Sequence, residues 1–338
     1  MAGLLLLANY HTLQAQSSNL TVSRFFEDTG IVQTTIITDI KKLRSTRNKP
    51  VWIPADIILK ENDTTAISES INLRMRGHMR RSICDIASLE INFKSTLSPR
   101  LSGLKKMKLV GGCRNNTFDE ELLLKEYLIY KMYNLLTPLS FKARLLRITY
   151  IDSRKKVGTY TQYAFVLEDI SDVAKRNGYV NKRTGIFRTE QADRIHITFV
   201  SLFEYMIGNT DWSVTARHNI RLLVPTNDTL AKPLVIPYDF DYSGIVNAPY
   251  AIPNEEFTTI KSVRDRLYRG FPRTMDELRP IIQNYKEKKT EILQVISNCY
   301  MLRSHEKKDM TKYLEDFYDI IDKESSVKRN FSDNARLF

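Results

Sequence analysis

The segment from Gly208 to Gly244 reads GNTDWSVTARHNIRLLVPTNDTLAKPLVIPYDFDYSG. It contains two runs rich in β-branched and aliphatic residues, 219–224 and 234–241, joined by a loop that opens with Pro225-Thr226-Asn227-Asp228. Two such runs around a turn-forming loop predict a β-hairpin. Asp211 precedes the first run, and Asp239 and Asp241 lie at the end of the second. The segment therefore predicts a hairpin with acidic side chains near its outer ends.

The acidic residues are candidates for metal binding and for proton transfer. Residues two apart on a strand point the same way, so we expect Asp239 and Asp241 to share one face. Two such carboxylates repel unless a cation or hydrogen-bond donors lie between them, and Mg²⁺ commonly takes one or two carboxylates plus substrate phosphates. Asp211 follows an apolar helix, at a break where a general base can be presented. The alternatives are a local turn cap for Asp211 and a solvated or arginine-bound pair.

The order of these residues predicts a phosphotransfer site. A loop Asp, a later Asn, a short hairpin and an Asp-Phe pair form the layout of kinase-type sites, in which the loop Asp accepts the hydroxyl proton. We therefore predict Asp211 as the catalytic residue. We predict Asn219, Asp239 and Asp241 as ligands of Mg²⁺ or Mn²⁺, which would hold ATP or another nucleoside triphosphate.

The rest of the chain has a β-rich first half and a mainly helical second half. Strand patterns in residues 21–168 occur at 31–38, 52–59, 71–75, 89–93, 107–110, 144–151 and 160–167. One helix interrupts them, beginning at the capping box Thr117-x-x-Glu120. Residues 169–324 have helical periodicity at 192–207, 277–302 and 308–321, and the basic tail 325–338 is expected to fray. This order predicts an α+β fold with two lobes.

The segment 208–244 resembles the kinase-like CotH family of spore-coat proteins and, more distantly, HipA-type kinases. The resemblance extends to Arg74-Met75-Arg76-Gly77, to residues 105–136 and to Phe165-Val166-Leu167-Glu168. The chain as a whole also resembles exported proteins of Bacteroidetes-type bacteria. The resemblance implies a two-lobed, protein-kinase-like fold, with a β-rich N-lobe that contains one helix and a mainly helical C-lobe. One spacing departs from the family, because its Asn lies about five residues after the catalytic Asp and Asn219 lies eight after Asp211.

The family's nucleotide-binding residues would be basic and acidic residues of the first half. Arg74 and Arg76 would form a phosphate-facing turn, for which the alternative is a solvated basic edge. Lys108 would be the phosphate lysine, with Lys94 as its competitor. A helix glutamate would pair with it, and the candidates are Glu121 and Glu126, of which we take Glu126. Glu168 would lie in the segment that leads between the lobes.

Composition and missing motifs narrow the function. The 338 residues include 51 Lys and Arg against 39 Asp and Glu, a formal net charge of +12, which predicts negatively charged partners. The chain has no phosphate-loop motif, no Gly-x-Gly-x-x-Gly and no Gly-x-Ser-x-Gly, which argues against those enzyme families. No nucleic-acid motif is present either, and we expect no specific nucleic-acid partner. The cluster Arg264, Arg266 and Arg269 could bind an acidic substrate or nucleic acid, but we favour its interpretation as helix-surface charge.

The first residues are typical of an export signal. Residues 1–15 carry no charge, include the apolar run 4–8 and end in small residues, so we expect a cleaved signal peptide and no transmembrane span in the mature chain. Three cysteines allow at most one disulfide, and the sequence does not select the pair.

The leading hypothesis is an exported phosphotransferase that acts on a protein or glycan hydroxyl. The alternative is an inactive kinase-fold binding protein of the cell envelope.

Overall fold

The computed structural model describes residues 25–27, 30–60, 66–77, 81–82, 84–86, 88–94, 104–228 and 230–335. The expected signal peptide, residues 1–15, lies outside them. The chain divides into two compact units. Unit 1 comprises Met1–Leu123 and Lys142–Asp169, and unit 2 comprises Leu124–Phe141 and Ile170–Phe338.

Unit 1 is built on a closed seven-stranded barrel. Its strands are β1 (Val32–Thr38), β2 (Ile53–Lys60), β3 (Ala66–Met75), β4 (Leu89–Phe93), β5 (Lys106–Gly111), β6 (Ala143–Asp152) and β7 (Tyr160–Leu167). They are joined in the order β1-β2-β3-β4-β5-β7-β6, and all of these neighbours are antiparallel. The barrel closes where β1 pairs with β6 in parallel, with Val32 opposite Leu146.

Alternating side chains fill the interior of this barrel. In β2, Ile53, Ala55, Ile57 and Leu59 are buried, and the residues between them are half-buried or exposed. Because neighbouring strands follow the same period of two, their inward residues merge into one continuous hydrophobic core. A disulfide joins Cys84 to Cys113, which starts the loop before the next helix, and Cys299 of unit 2 is a buried free thiol.

The two-lobed, protein-kinase-like fold that the resemblance implied is wrong. Such a fold would have an open sheet in its first lobe, whereas the sheet of unit 1 is closed by the parallel β1–β6 pair. Closure removes the free edges of the sheet, so the backbone groups at the side of β1 that faces β6 are paired. The fold is therefore a closed mixed barrel plus a helical unit.

Two helices belong to the β-rich part of the chain. Helix α1 (Ile40–Ser45) is short, and its N-cap Asp39 accepts a hydrogen bond from the Lys42 N–H at 2.9 Å. Helix α2 (Thr117–Leu136) begins in unit 1 and ends in unit 2. Its cap is Asn116 rather than Thr117, because Asn116 Oδ1 accepts the Asp119 N–H at 2.8 Å.

Unit 2 contains a small antiparallel sheet and six helices among the described residues. The sheet has the order β10-β9-β8, with β8 (Tyr179–Asn181), β9 (Ile220–Pro225) and β10 (Leu234–Pro237). The helices are α3 (Ile170–Arg176), α4 (Arg194–Ile207), α5 (Met275–Glu287), α6 (Lys289–Ser297), α7 (Ser304–Ile321) and α8 (Glu324–Lys328). No helix in the described ranges has the length and hydropathy required to cross a bilayer.

The C-terminal helices differ in detail from the sequence expectations. The periodic segment 277–302 is two helices, because α5 ends at Glu287 and α6 begins at Lys289, with Lys288 as the cap residue between them. The start of α5 is fixed by a capping box between Thr274 and Glu277. The described part of the tail that was expected to fray, residues 325–335, includes most of α8 and a π-helical turn, Arg329–Asp333, in which Phe331 is completely buried.

Candidate functional site

The predicted site lies in unit 2, where the segment 208–244 closes on itself. Helix α4 ends at Gly208, which adopts a left-handed conformation with φ of 66°. The Gly208 carbonyl accepts the Gly244 N–H at 3.0 Å, and a Cβ on Gly208 would overlap the Tyr313 hydroxyl group. The two ends of the segment are therefore in direct contact, which only glycine permits at this position.

Asp211 is held by its own loop and by the start of β9. Its Oδ1 lies 2.9 Å from His218 Nε2, and its Oδ2 accepts the Asn219 amide at 3.0 Å. The Asn219 amide also donates to the Asp211 carbonyl at 2.8 Å, and the Asp211 N–H donates to Asn209 Oδ1 at 3.0 Å. The Asp211 side chain is 37% exposed. Its carboxylate is thus oriented on both oxygens and still open to solvent.

A buried glutamate supports this loop from inside the unit. Glu204, in α4, is 1% exposed, and its Oε2 accepts the Asn209 amide at 2.9 Å. Burial raises the pKa of Glu204 to about 8, and the charge of Asp211 adds to the effect, whereas the Asn209 hydrogen bond and Arg269 oppose it. Arg269 also donates to the Thr210 carbonyl at 2.8 Å. The backbone before Asp211 is therefore fixed by one buried carboxyl and one guanidinium.

Asp239 and Asp241 are not on an extended strand. Strand β10 ends at Pro237, and Asp239 has a φ of 68°, so the alternation expected from a strand does not apply to this pair. The Asp239 N–H donates to the Tyr130 hydroxyl at 2.8 Å, and the Tyr250 hydroxyl donates to Asp241 Oδ2 at 3.1 Å. The turn is tied to the start of β9, because the residue before Asp239 donates its N–H to the Asn219 carbonyl at 3.0 Å.

The charges of the acidic residues act on two tyrosines. Burial raises the pKa of Tyr130 well above its ordinary value, and the charges of Glu126, Asp239 and Asp241 raise it further. Burial also raises the pKa of Tyr242, with further contributions from Asp241 and Asp211. Both phenols therefore interact electrostatically with more than one carboxylate. A direct contact connects the two acidic parts of the segment, because the Asn219 amide donates to Asp211 and the Asn219 carbonyl accepts the N–H of Tyr238, the residue before Asp239.

The backbone of this region is strained. Five non-glycine residues in the described ranges have positive φ, and three of them are Arg217 at 51°, Asn219 at 53° and Asp239 at 68°. Left-handed backbone costs about 1–3 kcal/mol for residues other than glycine, and such strain concentrates at functional sites. Here it accompanies the residues that orient Asp211 and the residue that presents a carboxylate after β10.

The donor set suits a hard cation. Within the described ranges, no three His, Cys, Asp or Glu side chains are close enough to form a complete metal site by themselves. Mg²⁺ does not require one, because it usually keeps several waters and takes one or two carboxylates with substrate phosphates. Asp239 and Asp241 supply two such carboxylates. Since like charges repel, a cation near them would also offset the charge that raises the pKa of Tyr130.

Four predicted nucleotide-binding residues belong to unit 1, and two of them, Arg74 and Lys108, lie in barrel strands. Arg74 forms an ion pair with Glu90, which lies opposite it in β4, and stacks on Trp52 with 4.5 Å between the guanidinium carbon and the ring centroid. Lys108 lies opposite Glu90 on the other side of β4. These contacts give Arg74 a structural partner within the sheet.

The other predicted residues are divided between the units. In unit 1, Arg76 follows β3 and donates its N–H to the Ser88 carbonyl at 2.8 Å, and Glu168 Oε2 accepts the Lys142 N–H at 3.1 Å where β6 and β7 meet. The competitor Lys94 follows β4 and is exposed. In unit 2, Glu126 is 1% exposed on α2 beside Tyr130. The structure thus brings Glu126 together with the acidic residues of segment 208–244. The nucleotide-binding roles of the barrel residues stay predictions.

The arginine cluster after the hairpin is not on a helix. Arg264 makes two hydrogen bonds with the Asp309 carboxylate, at 2.7 and 2.9 Å, and Arg266 donates to the Tyr205 carbonyl at 3.1 Å and stacks on Tyr313. The helix-surface interpretation is therefore wrong. These side chains hold an irregular segment against α4 and α7, and Arg269 holds the loop of Asp211.

Sequence reasoning missed Glu204, Asn209 and Tyr130. A signal was present for Glu204, because it is the one carboxylate in α4 and has the apolar residues Val200, Phe203 and Ile207 around it in sequence. No local signal identifies Tyr130, since its partner Asp239 is far away along the chain.

No known family model matches the chain, and no curated protein is significantly similar to it.

Proposed function

We propose that unit 2 carries a Mg²⁺-dependent phosphotransfer site that uses ATP or a similar nucleotide and acts on a protein or glycan hydroxyl. One observation supports the proposal above the others. Asn219 ties the Asp211 loop to the turn that carries Asp239 and Asp241, since its amide donates to Asp211 and its carbonyl accepts the Tyr238 N–H, and the buried Glu204 supports the Asp211 loop through Asn209. The proposal rests on the chemistry of this site and not on the fold.

Asp211 is the proposed general base. A carboxylate offers about four lone-pair positions, so the two hydrogen bonds from His218 and Asn219 leave acceptor capacity for a substrate hydroxyl. Both hydrogen bonds fix the direction of the carboxylate, and a fixed direction lowers the cost of reaching the reactive geometry. Asn219 thus acts as a positioning residue through its amide nitrogen, and its predicted contact with a metal stays a prediction.

Asp239 and Asp241 are the proposed ligands of the metal. When bound, Mg²⁺ supplies positive charge that offsets the charge developing on a transferring phosphoryl group. Tyr130 holds the Asp239 backbone, and Tyr250 holds the Asp241 carboxylate, so both ligands are positioned before a metal arrives. Preorganised ligands reduce the free energy that binding would otherwise spend on ordering side chains.

The test is phosphoryl transfer by the purified protein. The γ-phosphate of labelled ATP is followed into protein and glycan acceptors in the presence of Mg²⁺, for the wild-type chain and for Asp211→Asn. We expect the variant to lose roughly 10²- to 10⁴-fold in rate, the usual contribution of a general base. Asp319→Asn, on the exposed side of α7, is the matched control and should transfer at the wild-type rate. Equal rates for wild type and Asp211→Asn would refute the assignment.

The second candidate is a nucleotide-binding protein without transfer. It is favoured by the position of Asn219, whose amide is directed at Asp211 and which lies eight residues after it. If this candidate is correct, wild type should bind nucleotide in the presence of Mg²⁺. No protein or glycan acceptor should become labelled by the γ-phosphate under any condition.

We also propose that the protein is exported. The disulfide between Cys84 and Cys113 supports this, because disulfides persist mainly in oxidising compartments. Secretion of the full-length chain by its host, measured against a chain that lacks residues 1–15, tests the proposal. Equal secretion of both chains would refute the signal-peptide role.

A further inference from the structure

A second region of unit 2 has the opposite charge. A cavity of about 330 Å³ is lined by Lys182, Arg183, Arg217 and Arg221, together with Asn181 and three aliphatic residues. We call it the arginine pocket. The described residues that line it include four cations and no carboxylate. Its walls are the end of β8, the turn that follows it and the start of β9.

Arg217 builds the pocket rather than filling it. Its guanidinium donates to four consecutive carbonyls, those of residues 182–185, at 3.2, 2.7, 3.0 and 2.8 Å. These hydrogen bonds wrap the 182–185 turn around the guanidinium, so Lys182 and Arg183 are held at the cavity. Since carbonyl groups are neutral, the positive charge of Arg217 remains uncompensated.

The other two arginines, unlike Arg217, have most of their guanidinium hydrogen-bond donors left for an anion. Arg221 stacks on Tyr238 with 4.4 Å between the guanidinium carbon and the ring centroid, and it donates to the Ile220 carbonyl at 2.8 Å. In the described part of the chain, neither Arg183, Arg217 nor Arg221 forms an ion pair with a carboxylate. Three guanidinium groups at one cavity repel each other, and an anion between them would relieve that repulsion.

The pocket is joined to the acidic site by the chain itself. Arg217 directly precedes His218 and Asn219, whose side chains hold the Asp211 carboxylate. Tyr238, on which Arg221 stacks, directly precedes Asp239. A ligand in the pocket therefore contacts the hairpin that carries the proposed catalytic and metal-binding residues.

We propose that the arginine pocket binds a phosphomonoester carried by the acceptor substrate. The planar guanidinium forms paired hydrogen bonds with phosphate and with carboxylate. A phosphomonoester carries about −1.5 to −2 charges at pH 7, which matches several cations better than a single carboxylate does. The cavity volume is at the small end of the range for ligand pockets, which suits a phosphate with a small organic group rather than a whole nucleotide. That the phosphate belongs to the acceptor substrate rests on the proposed function. That the pocket binds an anion does not.

Binding is measured first without nucleotide or metal. Phosphoserine, glucose 6-phosphate and inorganic phosphate are titrated into the full chain by calorimetry at low ionic strength. We expect saturable binding, weakened roughly tenfold by Arg183→Gln and by Arg221→Gln, because each removes a charge-assisted hydrogen bond. Lys232→Gln, which removes an exposed cation elsewhere in unit 2, is the control and should bind as wild type does. Absence of saturable binding, or equal binding by both arginine variants and wild type, would overturn the proposal.

Two comparisons identify the source of the phosphate. Tighter binding of phosphoserine than of inorganic phosphate supports a protein acceptor, and tighter binding of glucose 6-phosphate supports a glycan acceptor. If inorganic phosphate binds as tightly as both, the assignment to an acceptor is wrong.

A separate titration with ATP and Mg²⁺ distinguishes this proposal from the proposed function. Arg221→Gln should leave nucleotide affinity unchanged, and a parallel loss would assign the pocket to the nucleotide instead. If wild type binds phosphomonoesters but no nucleotide, the proposed function fails and the assignment of the arginine pocket as a phosphate site stands.

Discussion

Glu204 makes the stability of the protein depend on pH in a direction that is opposite to that of most carboxylates. Its pKa is raised from 4.5 to about 8, chiefly by burial in α4. Between these two pH values the folded chain holds a proton that the unfolded chain has lost. The stabilisation is therefore complete below pH 4.5 and is lost as the pH rises through 8.

The expected size follows from the shift. Each pH unit between 4.5 and 8 lowers the free energy of unfolding by at most ~1.4 kcal/mol. The total loss therefore approaches ~4 kcal/mol by pH 8. Glu204→Gln removes the titration and keeps an oxygen for the Asn209 amide. We expect Glu204→Gln to match wild type within ~1 kcal/mol at pH 5 and to exceed it by ~4 kcal/mol at pH 8.

The assay is urea unfolding from pH 5 to pH 8, followed by tryptophan fluorescence. A Trp52→Phe background leaves Trp212, next to Asp211 in unit 2, as the single reporter. Glu315→Gln, on the exposed side of α7, is the matched control and should keep the wild-type pH dependence. Parallel pH profiles for wild type and Glu204→Gln would refute the reasoning, since a neutral residue cannot titrate.

Three further changes test other parts of the structure. Glu277→Gln should lower stability by ~1–2 kcal/mol at pH 7, through a weakened cap and a lost ion pair with the exposed Arg194. The pKa of Glu277 is lowered to about 2, so the deficit should fade as the pH drops from 4.5 toward 2 in acid unfolding curves. Gly208→Ala should cost ~2–4 kcal/mol, visible as a lower Tm, because φ is 66° and the new methyl group meets Tyr313. Asn219→Ala should lower transfer with nucleotide affinity unchanged, and an equal loss of affinity would make Asn219 a metal ligand.

Local patterns predicted the strands well and their partners poorly. The buried and exposed positions of β1 and β2 alternate as the sequence suggests, and six of the seven barrel strands start and end within one residue of the predicted runs. The exception is β3, which begins at Ala66, five residues before the predicted run 71–75, and strand β8 was not predicted. The closing pair of the barrel has no such signal, because Val32 meets Leu146 through a contact distant in sequence. The prediction of a kinase-like fold was wrong at the β1–β6 pair. A resemblance in segment 208–244 says nothing about whether a sheet elsewhere in the chain closes into a barrel.

The acidic residues of the candidate site are visible in the sequence as aspartates before and after a hairpin, whereas the residues that support them are not. In the structure, Asn219 connects the Asp211 loop to the turn that carries Asp239. The end of β10 was misjudged, because the extended run continues to Asp241 in sequence while Pro237 donates no backbone hydrogen bond and Asp239 turns to positive φ. The support from Glu204 and Tyr130 depends on tertiary contacts, which periodicity does not encode.

Magnesium-dependent nucleotide binding tests the central proposal most directly. ATP is titrated calorimetrically into wild type, Asp239→Asn and Asp211→Asn, with Mg²⁺ and with EDTA. The proposal predicts binding by wild type only with Mg²⁺, and a loss in Asp239→Asn of at least about tenfold, as is typical when residues that support a bound metal are changed. It also predicts near-wild-type affinity for Asp211→Asn, whose role is proton transfer. Binding that is unaffected by EDTA and by Asp239→Asn, or no binding at all, would contradict it.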